Sequence, residues 1–366
     1  MNRFDYVRAG SVAEAVAASA APGAAYLAAG TNLLDLMKGG LATPATLVDI
    51  TRIPGLSSIE SLPDGSTRIG ALVRNSDLAH DAGFAARYPA VAEALLSGAS
   101  AQLRNAATTA GNLMQRTRCP YFYDPASACN KREAGAGCAA IGGETRLHAV
   151  LGFSEACIAV HPSDLCVPLA ALDAAVEIEG PKGTRTVPLT EFHRLPGDAP
   201  ERDTVLEPGE LIVAVRLPPE AAGFSAHARY LKIRERTSYA FALVSAAAML
   251  RLDGGRIGAA RLALGGVALK PWRARGAEDL LAGREPDATA FREAAEAALE
   301  GAHASGEANA FKIELARRVV TRALQRALAG TPERVPALPA SPFADAPASR
   351  RALPQAFPQA GATAHV

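Results

Sequence analysis

The sequence predicts an α+β protein of more than one domain, and three observations predict it. Its 366 residues are too many for one small core, because domains usually run about 100–200 residues. The N-terminal part alternates short apolar strands with short helical patterns, a β-α-β-like start. From Arg229 the pattern changes to long β runs, and helices follow them. Apolar and charged content are those of an ordinary soluble globular protein. A net charge of +1 gives no electrostatic case for nucleic acid or an anionic membrane surface.

Taken in order, the chain opens with FDYVRAGSVAEAVAASA, where Ser11 is a plausible N-cap and Glu14 its capping-box partner. Val12, Ala15 and Val16 share one helical face. YLAAG reads as a short strand ending at glycine, LLDLMKGG as a turn or short helix, and Thr46 to Ile50 as a second strand. GSTRIGALVRNSDLA reads as a hairpin strand followed by a Ser- or Asp-capped helix, and Tyr88 to Ser97 as a further helix. Gln102 to Gln115 is small, polar and glycine-bearing, which predicts a functional loop. Arg116 to Cys157 has little apolar periodicity, and CIAVHPSDLCVPLAALDAAVEIEG resumes with a strand, a helix and a strand. Glu207 to Pro218 is a strand after a turn, and Asp253-Gly254-Gly255 is a hairpin signal. Helices are expected at Pro286 to Ala302 and Ala310 to Ala329. Thr331 to Val366 is rich in Pro and Ala without an apolar period, so it is expected to be disordered or draped over a partner. There is no internal repeat.

Met1 to Ala20 carries Arg3, Asp5, Arg8 and Glu14 and lacks the unbroken apolar stretch of a signal peptide. No run approaches the roughly 18–20 apolar residues of a membrane helix. The chain therefore reads as cytoplasmic, or as periplasmic if it is exported folded on a partner that carries the signal.

Two loops carry candidate chemistry. In LAAGTNLLDLMK, Leu27 to Lys38, a strand delivers the chain to Gly30 and the small polar Thr31 and Asn32. Backbone N–H groups in such a loop can converge on a pyrophosphate. The alternative is an ordinary strand-to-helix turn. In RNAATTAGNL, Arg104 to Leu113, Thr108 and Thr109 supply hydroxyls, Gly111 a close backbone approach, and Asn112 side-chain bonds to backbone.

All five cysteines lie between Cys119 and Cys166. An odd, clustered set argues against a disulfide framework and for metal. Cys119, Cys129, Cys138 and Cys157 follow the spacing C-x9-C-x8-C-x18-C, and four thiolates suit a [4Fe–4S] cube or tetrahedral zinc. The remaining alternative is buried free thiols. Cys166, with apolar neighbours Leu165 and Val167, reads as a packed thiol. Arg116, Arg118, Lys131 and Arg132 flank the set, either to stabilise an anionic cluster or as a solvated or partner-facing surface.

In this order the two loops resemble the flavoprotein subunits of the xanthine dehydrogenase and carbon monoxide dehydrogenase family. PSDLCVPLAALDA, GELIVAVRLP, RYLKIRERTSYAFALVSAA and RIGAARLALGGVALKPWRA continue the resemblance over about residues 1–330. It implies a para-cresol methylhydroxylase-type FAD-binding domain made of two α/β subdomains, at 1–60 and 61–222. A CO dehydrogenase flavoprotein-like C-terminal domain at 223–330 and the tail at 331–366 would follow. Carried over, Leu27, Ala28, Ala29, Gly30, Thr31, Asn32, Leu33 and Leu34, with Thr108, Thr109, Gly111 and Asn112, would bind the FAD pyrophosphate and ribityl chain. Asp164, Ile212 and Lys232 would complete that site; the alternatives are a helix N-cap for Asp164 and a surface lysine for Lys232. Ala29 stands where the family more often has glycine, which is tolerable at an ordinary backbone angle. Neither loop holds a histidine, so FAD is expected to be noncovalent. The run GNLMQRTRCPYFYD with CNKREAGAGCAAIGG, at about 115–160, resembles the subset related to bacterial periplasmic aldehyde oxidoreductases, whose insert holds a [4Fe–4S] cluster.

The resemblance implies an electron-transfer subunit of a heterotrimeric molybdenum hydroxylase, of aldehyde oxidoreductase or xanthine dehydrogenase type. A large molybdopterin subunit and a small subunit with two [2Fe–2S] clusters would be its partners. NAD, quinone, ferredoxin or dioxygen would be the external acceptor, and no side chain here need act as a catalytic acid or base. Two other classes stand beside it: a stand-alone FAD-dependent oxidase, and a zinc-stabilised, flavin-free interaction module.

Overall fold

The computed structural model describes residues 1–333 and contains three sheets. The first sheet is parallel, in the order β1-β3-β2, from β1 (Asp5–Arg8), β2 (Ala24–Leu27) and β3 (Thr46–Asp49). Helix α1 (Val12–Ala18) joins β1 to β2, and α2 (Leu33–Lys38) joins β2 to β3. Ser11 caps α1 by accepting from the Glu14 amide, while the Glu14 carboxylate reaches one residue further back, to the Gly10 amide.

The second sheet is antiparallel, in the order β4-β5-β8-β6-β7. It comprises β4 (Ile59–Ser61), β5 (Thr67–Gly70), β6 (Ala175–Gly180), β7 (Gly183–Pro188) and β8 (Leu211–Leu217). Between β5 and β6 the chain makes α3 (Asn75–His80), α4 (Ala82–Arg87), α5 (Pro89–Ser97), α6 (Ala101–Ala106), α7 (Thr109–Leu113), α8 (Pro120–Tyr123) and α9 (Cys166–Ala171). A last short helix, α10 (Leu189–Phe192), follows β7. Gly70 of β5 lies against the first sheet's exit loop: a Cβ there would stand 2.3 Å from the Leu56 carbonyl oxygen. Gly70→Ala is therefore expected to lose about 1–3 kcal/mol, as overpacking against backbone does. A denaturant midpoint equal to that of the unmodified protein would show that the Leu56 segment gives way freely.

The third sheet, β12-β11-β10-β9, is antiparallel: β9 (Ala228–Ile233), β10 (Val244–Asp253), β11 (Arg256–Gly265) and β12 (Trp272–Arg273). The hairpin at Asp253-Gly254-Gly255 forms as the sequence predicts, with both glycines at positive φ, as a two-residue turn requires. Val244, Ala246, Ala248 and Leu250 of β10 face α11 (Arg275–Leu281), α12 (Ala288–Ala298) and α13 (Phe311–Leu328). Ala247 and Met249 point the other way, into the core shared with the second sheet. Both faces are covered, so the strand reads as an unbroken apolar run rather than an alternating one.

Several local expectations are corrected. Gln102 to Gln115 is not a loop but parts of α6 and α7, because Ser100 and Thr108 cap them on the Leu103 and Gly111 amides. Helix α3 has no side-chain cap; Asp81 instead caps α4 through the Phe84 amide. No strand forms at Cys157 to Val160 before α9; Cys157 makes only an isolated bridge with Ser154. The Pro/Ala-rich stretch lies outside the described residues except for Thr331 to Glu333. No helix among the described residues is long and apolar enough to cross a membrane.

Candidate functional site

The first loop leaves β2 at Leu27 and turns at Gly30, whose φ of 74° favours glycine and whose missing Cβ leaves room for the Leu34 side chain. Ala29 is not among the described residues with positive φ, so its methyl group meets no backbone penalty. Asn32 begins α2 but caps nothing with its side chain. Its amide group spans to the second loop instead: Nδ2 donates to the Gly111 carbonyl at 3.3 Å, and Oδ1 accepts from Arg118. Thr108 is the N-cap of α7, and Thr109 Oγ1 donates to the Val73 carbonyl, so both hydroxyls are engaged within the protein. Asn112 bonds side chains rather than backbone, with Oδ1 accepting from Ser163 Oγ at 2.7 Å and Gln115 Nε2 at 2.6 Å.

A cavity of about 670 Å³ opens beside the joined loops, within the roughly 300–1,000 Å³ usual for ligand sites. Thr31, Asn32, Asn112, Asp164 and Lys232 line it. Asp164 is not a helix cap: it accepts from Lys232 Nζ at 2.7 Å and from Tyr230 OH at 2.6 Å. Nor is Lys232 on the surface, for its side chain is 1% exposed and it also reaches the Ser97 carbonyl. Burial, reinforced by the neighbouring Asp164, drives the Tyr230 phenol well above its ordinary pKa, so it stays a donor. Ile212 lies elsewhere: it is buried in β8 opposite Ile178 and does not line the cavity. Leu27 to Gly30, Leu33, Leu34, Thr108, Thr109 and Gly111 stand behind the lining residues rather than among them.

The cavity also takes residues the sequence did not single out. Arg104 lines it and donates to the Gly98 carbonyl, with burial lowering its pKa. Gln115, His148, His161 and the exposed aromatics Tyr239 and Phe241 line it as well. Tyr239 has a positive φ of 51°, unusual for a side chain of its size. Arg104, Gln115, His161, Tyr239 and Phe241 fall inside stretches noted for other residues, and nothing local marks them or His148 as cavity-lining.

One wall runs directly into the cysteine-rich segment, since Cys119 and His148 both line the cavity and the Cys119 thiol meets His148 Nε2 at 3.1 Å. Cys129 and Cys138 face each other across an isolated antiparallel bridge. Burial raises the Cys119 thiol pKa, the Phe122 and Tyr121 amides of α8 oppose this, and the nearby Cys129 and Cys138 push it further up. Burial pushes Cys157 to about 11, against Lys131 and the Ala159 amide, with Cys138 and Cys119 adding to the rise. Cys119 thus lies near the other three thiols, and amide N–H groups face the Cys119 and Cys157 sulfurs. The flanking cations brace this segment rather than forming a solvated surface. Arg116 and Lys131 both pair with Asp203, and Arg132 donates to the Tyr121 and Phe122 carbonyls. Cys166 is fully buried in α9, its thiol pushed up to about 12 by burial, as a packed thiol would be.

Residues 2–220 match the family model described as the FAD binding domain in molybdopterin dehydrogenase, and residues 229–327 match the CO dehydrogenase flavoprotein C-terminal domain. The chain is 50% identical over 331 residues to the aldehyde oxidoreductase FAD-binding subunit PaoB of Escherichia coli (strain K12), covering 90% of this chain and 99% of that protein. Carbon monoxide dehydrogenase from Hydrogenophaga pseudoflava, in a form lacking the Mo-pyranopterin moiety, is similar in structure with a TM-score of 0.70. The two are 30% identical over 90% of this chain and 98% of that one. Quinoline 2-oxidoreductase from Pseudomonas putida 86 gives a TM-score of 0.68 at 27% identity, over 89% of this chain and 97% of that one. A flavin-free interaction module is thereby excluded. The chain belongs to the FAD-binding subunits of the molybdenum hydroxylase family, and is an oxidoreductase subunit built from that family's two domains.

Proposed function

We propose that this chain is the electron-transfer flavoprotein of a heterotrimeric molybdenum hydroxylase of the aldehyde oxidoreductase type. A large molybdopterin subunit would oxidise the substrate, and a small subunit with two [2Fe–2S] clusters would carry the electrons here. The 50% identity to an aldehyde oxidoreductase subunit favours an aldehyde substrate. The observation that carries the reading is the bond from Asn32 to Gly111, which joins the Gly30 turn to α7, 79 residues away, at the edge of one cavity.

FAD, when bound, supplies two-electron redox chemistry and hands electrons to an external acceptor. Leu27 to Leu34 and Thr108 to Asn112 would form its phosphate-side cradle; the backbone N–H groups of the Gly30 turn would be the donors, because those of Thr109 to Asn112 are already bonded within the protein. Lys232, neutralised by Asp164, would present a cation at the cavity wall without leaving a bare buried charge. Ile212 supports the second sheet's core, so its contribution to such a site would be indirect.

Cys119, Cys129, Cys138 and Cys157 would hold a [4Fe–4S] cluster beside that cavity. The donor set supports this: four free thiols, two of them buried, come from one segment, with amide N–H groups at Cys119 and Cys157 and Lys131 near Cys157. A single zinc ion with Zn–S bonds of about 2.3 Å would need thiols roughly 4 Å apart. Among the described residues, no three of these thiols converge within 4.8 Å. The resemblance of this segment to a cluster-holding insert favours a cube over one ion.

The test is the visible spectrum of anaerobically purified protein, with iron, zinc and acid-labile sulfide assayed on the same sample. Flavin bands over a broad brown absorbance, with about four iron and four sulfide per chain, are expected. Flavin with zinc and no sulfide would sink the cluster assignment and leave the FAD assignment standing. Aldehyde turnover by the isolated chain, without partners, would replace the electron-transfer role with that of a stand-alone oxidase.

A further inference from the structure

One group of soft ligands belongs neither to the flavin loops nor to the four-cysteine set. One ligand atom each from His161, Cys166 and His193 lies within 4.8 Å of the other two, and all three residues are buried. The two imidazoles stack with ring centroids 4.2 Å apart. His193 is oriented as metal-bound histidines usually are: Nε2 donates to the Leu113 carbonyl at 2.9 Å, which leaves Nδ1 with a free lone pair. Nδ1 of His193 and Nε2 of His161 are both buried without a hydrogen-bond partner. Orphaned buried polar atoms are rare and call for an explanation. Here two of them belong to side chains grouped with a thiol.

We propose that His161, Cys166 and His193 form a three-coordinate site for one soft monovalent cation, Cu⁺. Thiolate and imidazole are the donors such an ion prefers. Charge selects the oxidation state. Lys131 lies near His161, and Lys270 near His193. The nearby acids are already committed, Asp203 to Arg116 and Lys131, and Asp164 to Lys232. With Lys131 paired to Asp203 and Lys270 near Glu191, no acid is left over to offset a further charge, so a divalent ion with one thiolate would leave an uncompensated buried positive charge, which is costly. A monovalent ion with one thiolate is neutral. On binding, the Cys166 S–H bond breaks, a sulfur–copper bond forms, and one proton leaves to solvent; no electron moves. His161 also lines the flavin cavity, so the bound ion and that cavity would share a wall.

The test uses the full chain with its native cofactors, titrated anaerobically with Cu⁺ buffered by a bicinchoninate chelator, beside Cys166→Ala. Copper taken up by the four-cysteine segment occurs in both proteins and cancels in the difference. The unmodified chain is expected to retain one more copper than Cys166→Ala, with affinity at this site falling at least about 100-fold in the variant, since losing a direct ligand costs no less than losing an outer-shell partner. X-ray absorption of that extra copper should show one sulfur and two nitrogen neighbours. Equal flavin and iron in the two proteins would show that the variant folds. His161→Asn, which keeps the thiol, should lose the same equivalent. Equal copper in the unmodified chain and Cys166→Ala would overturn the site, and retention of zinc in preference to copper would overturn the charge argument.

Discussion

Lys232→Met is expected to destabilise the chain by about 3–5 kcal/mol, the usual cost of removing one partner from a buried ion pair. The Lys232 and Asp164 side chains are 1% and 9% exposed, and their charges meet at 2.7 Å. Without the lysine, the Asp164 carboxylate keeps only the Tyr230 hydroxyl, and the Ser97 carbonyl loses its ammonium donor. The same substitution should lower flavin occupancy, because both residues line the cavity. Denaturant unfolding of flavin-stripped protein separates the two effects, since bound ligand adds its own apparent stability. Replacing both partners, as Lys232→Met with Asp164→Leu, should recover most of the stability and none of the flavin. A single variant within about 1 kcal/mol of the unmodified protein would mean that the pair is solvated, at the worth of a surface ion pair.

Cys157→Ala should reduce iron and sulfide from about four each per chain to near zero, because a cube held by three thiolates and no replacement ligand is readily lost. Cys157 is 5% exposed, and its neighbour Ser154 meets it only through backbone. The segment between Arg116 and Cys157 has little regular structure beyond α8, so loss of the cluster should also open it to limited proteolysis. Cys166→Ala is the control, since that thiol lies in α9 outside the set and its loss should leave iron unchanged. Full iron in Cys157→Ala would remove Cys157 from the ligand set.

The features legible in the sequence are those written within a few residues. Ser11 and Glu14 announce a helix start because a cap acts over one turn. Gly254 and Gly255 announce a hairpin because only a two-residue turn with positive φ joins such strands. The stretches around Gly30 and Gly111 are visible as glycine-bearing and polar, and together with the later motifs they carry the family resemblance. Capping also explains one failure: polar, small Gln102 to Gln115 reads as loop, yet Ser100 and Thr108 turn it into two short helices.

The sequence by itself determined the family, the FAD-binding assignment, the β-hairpin of the third sheet and the two long C-terminal helices. The tertiary structure alone decided that Asn32 ties the two loops together, and that Asp164 pairs with Lys232, 68 residues away. It also brought Arg118 to Asn32, and His161 and His193 to Cys166. These residues recur with no helical or strand period, so nothing local distinguishes a polar side chain aimed into a cavity from one facing water. Their partners are set by how β9, α9 and the segment after α7 pack around the second and third sheets. That packing follows from burial of apolar surface over the whole domain, which is non-directional and leaves no mark at any single position.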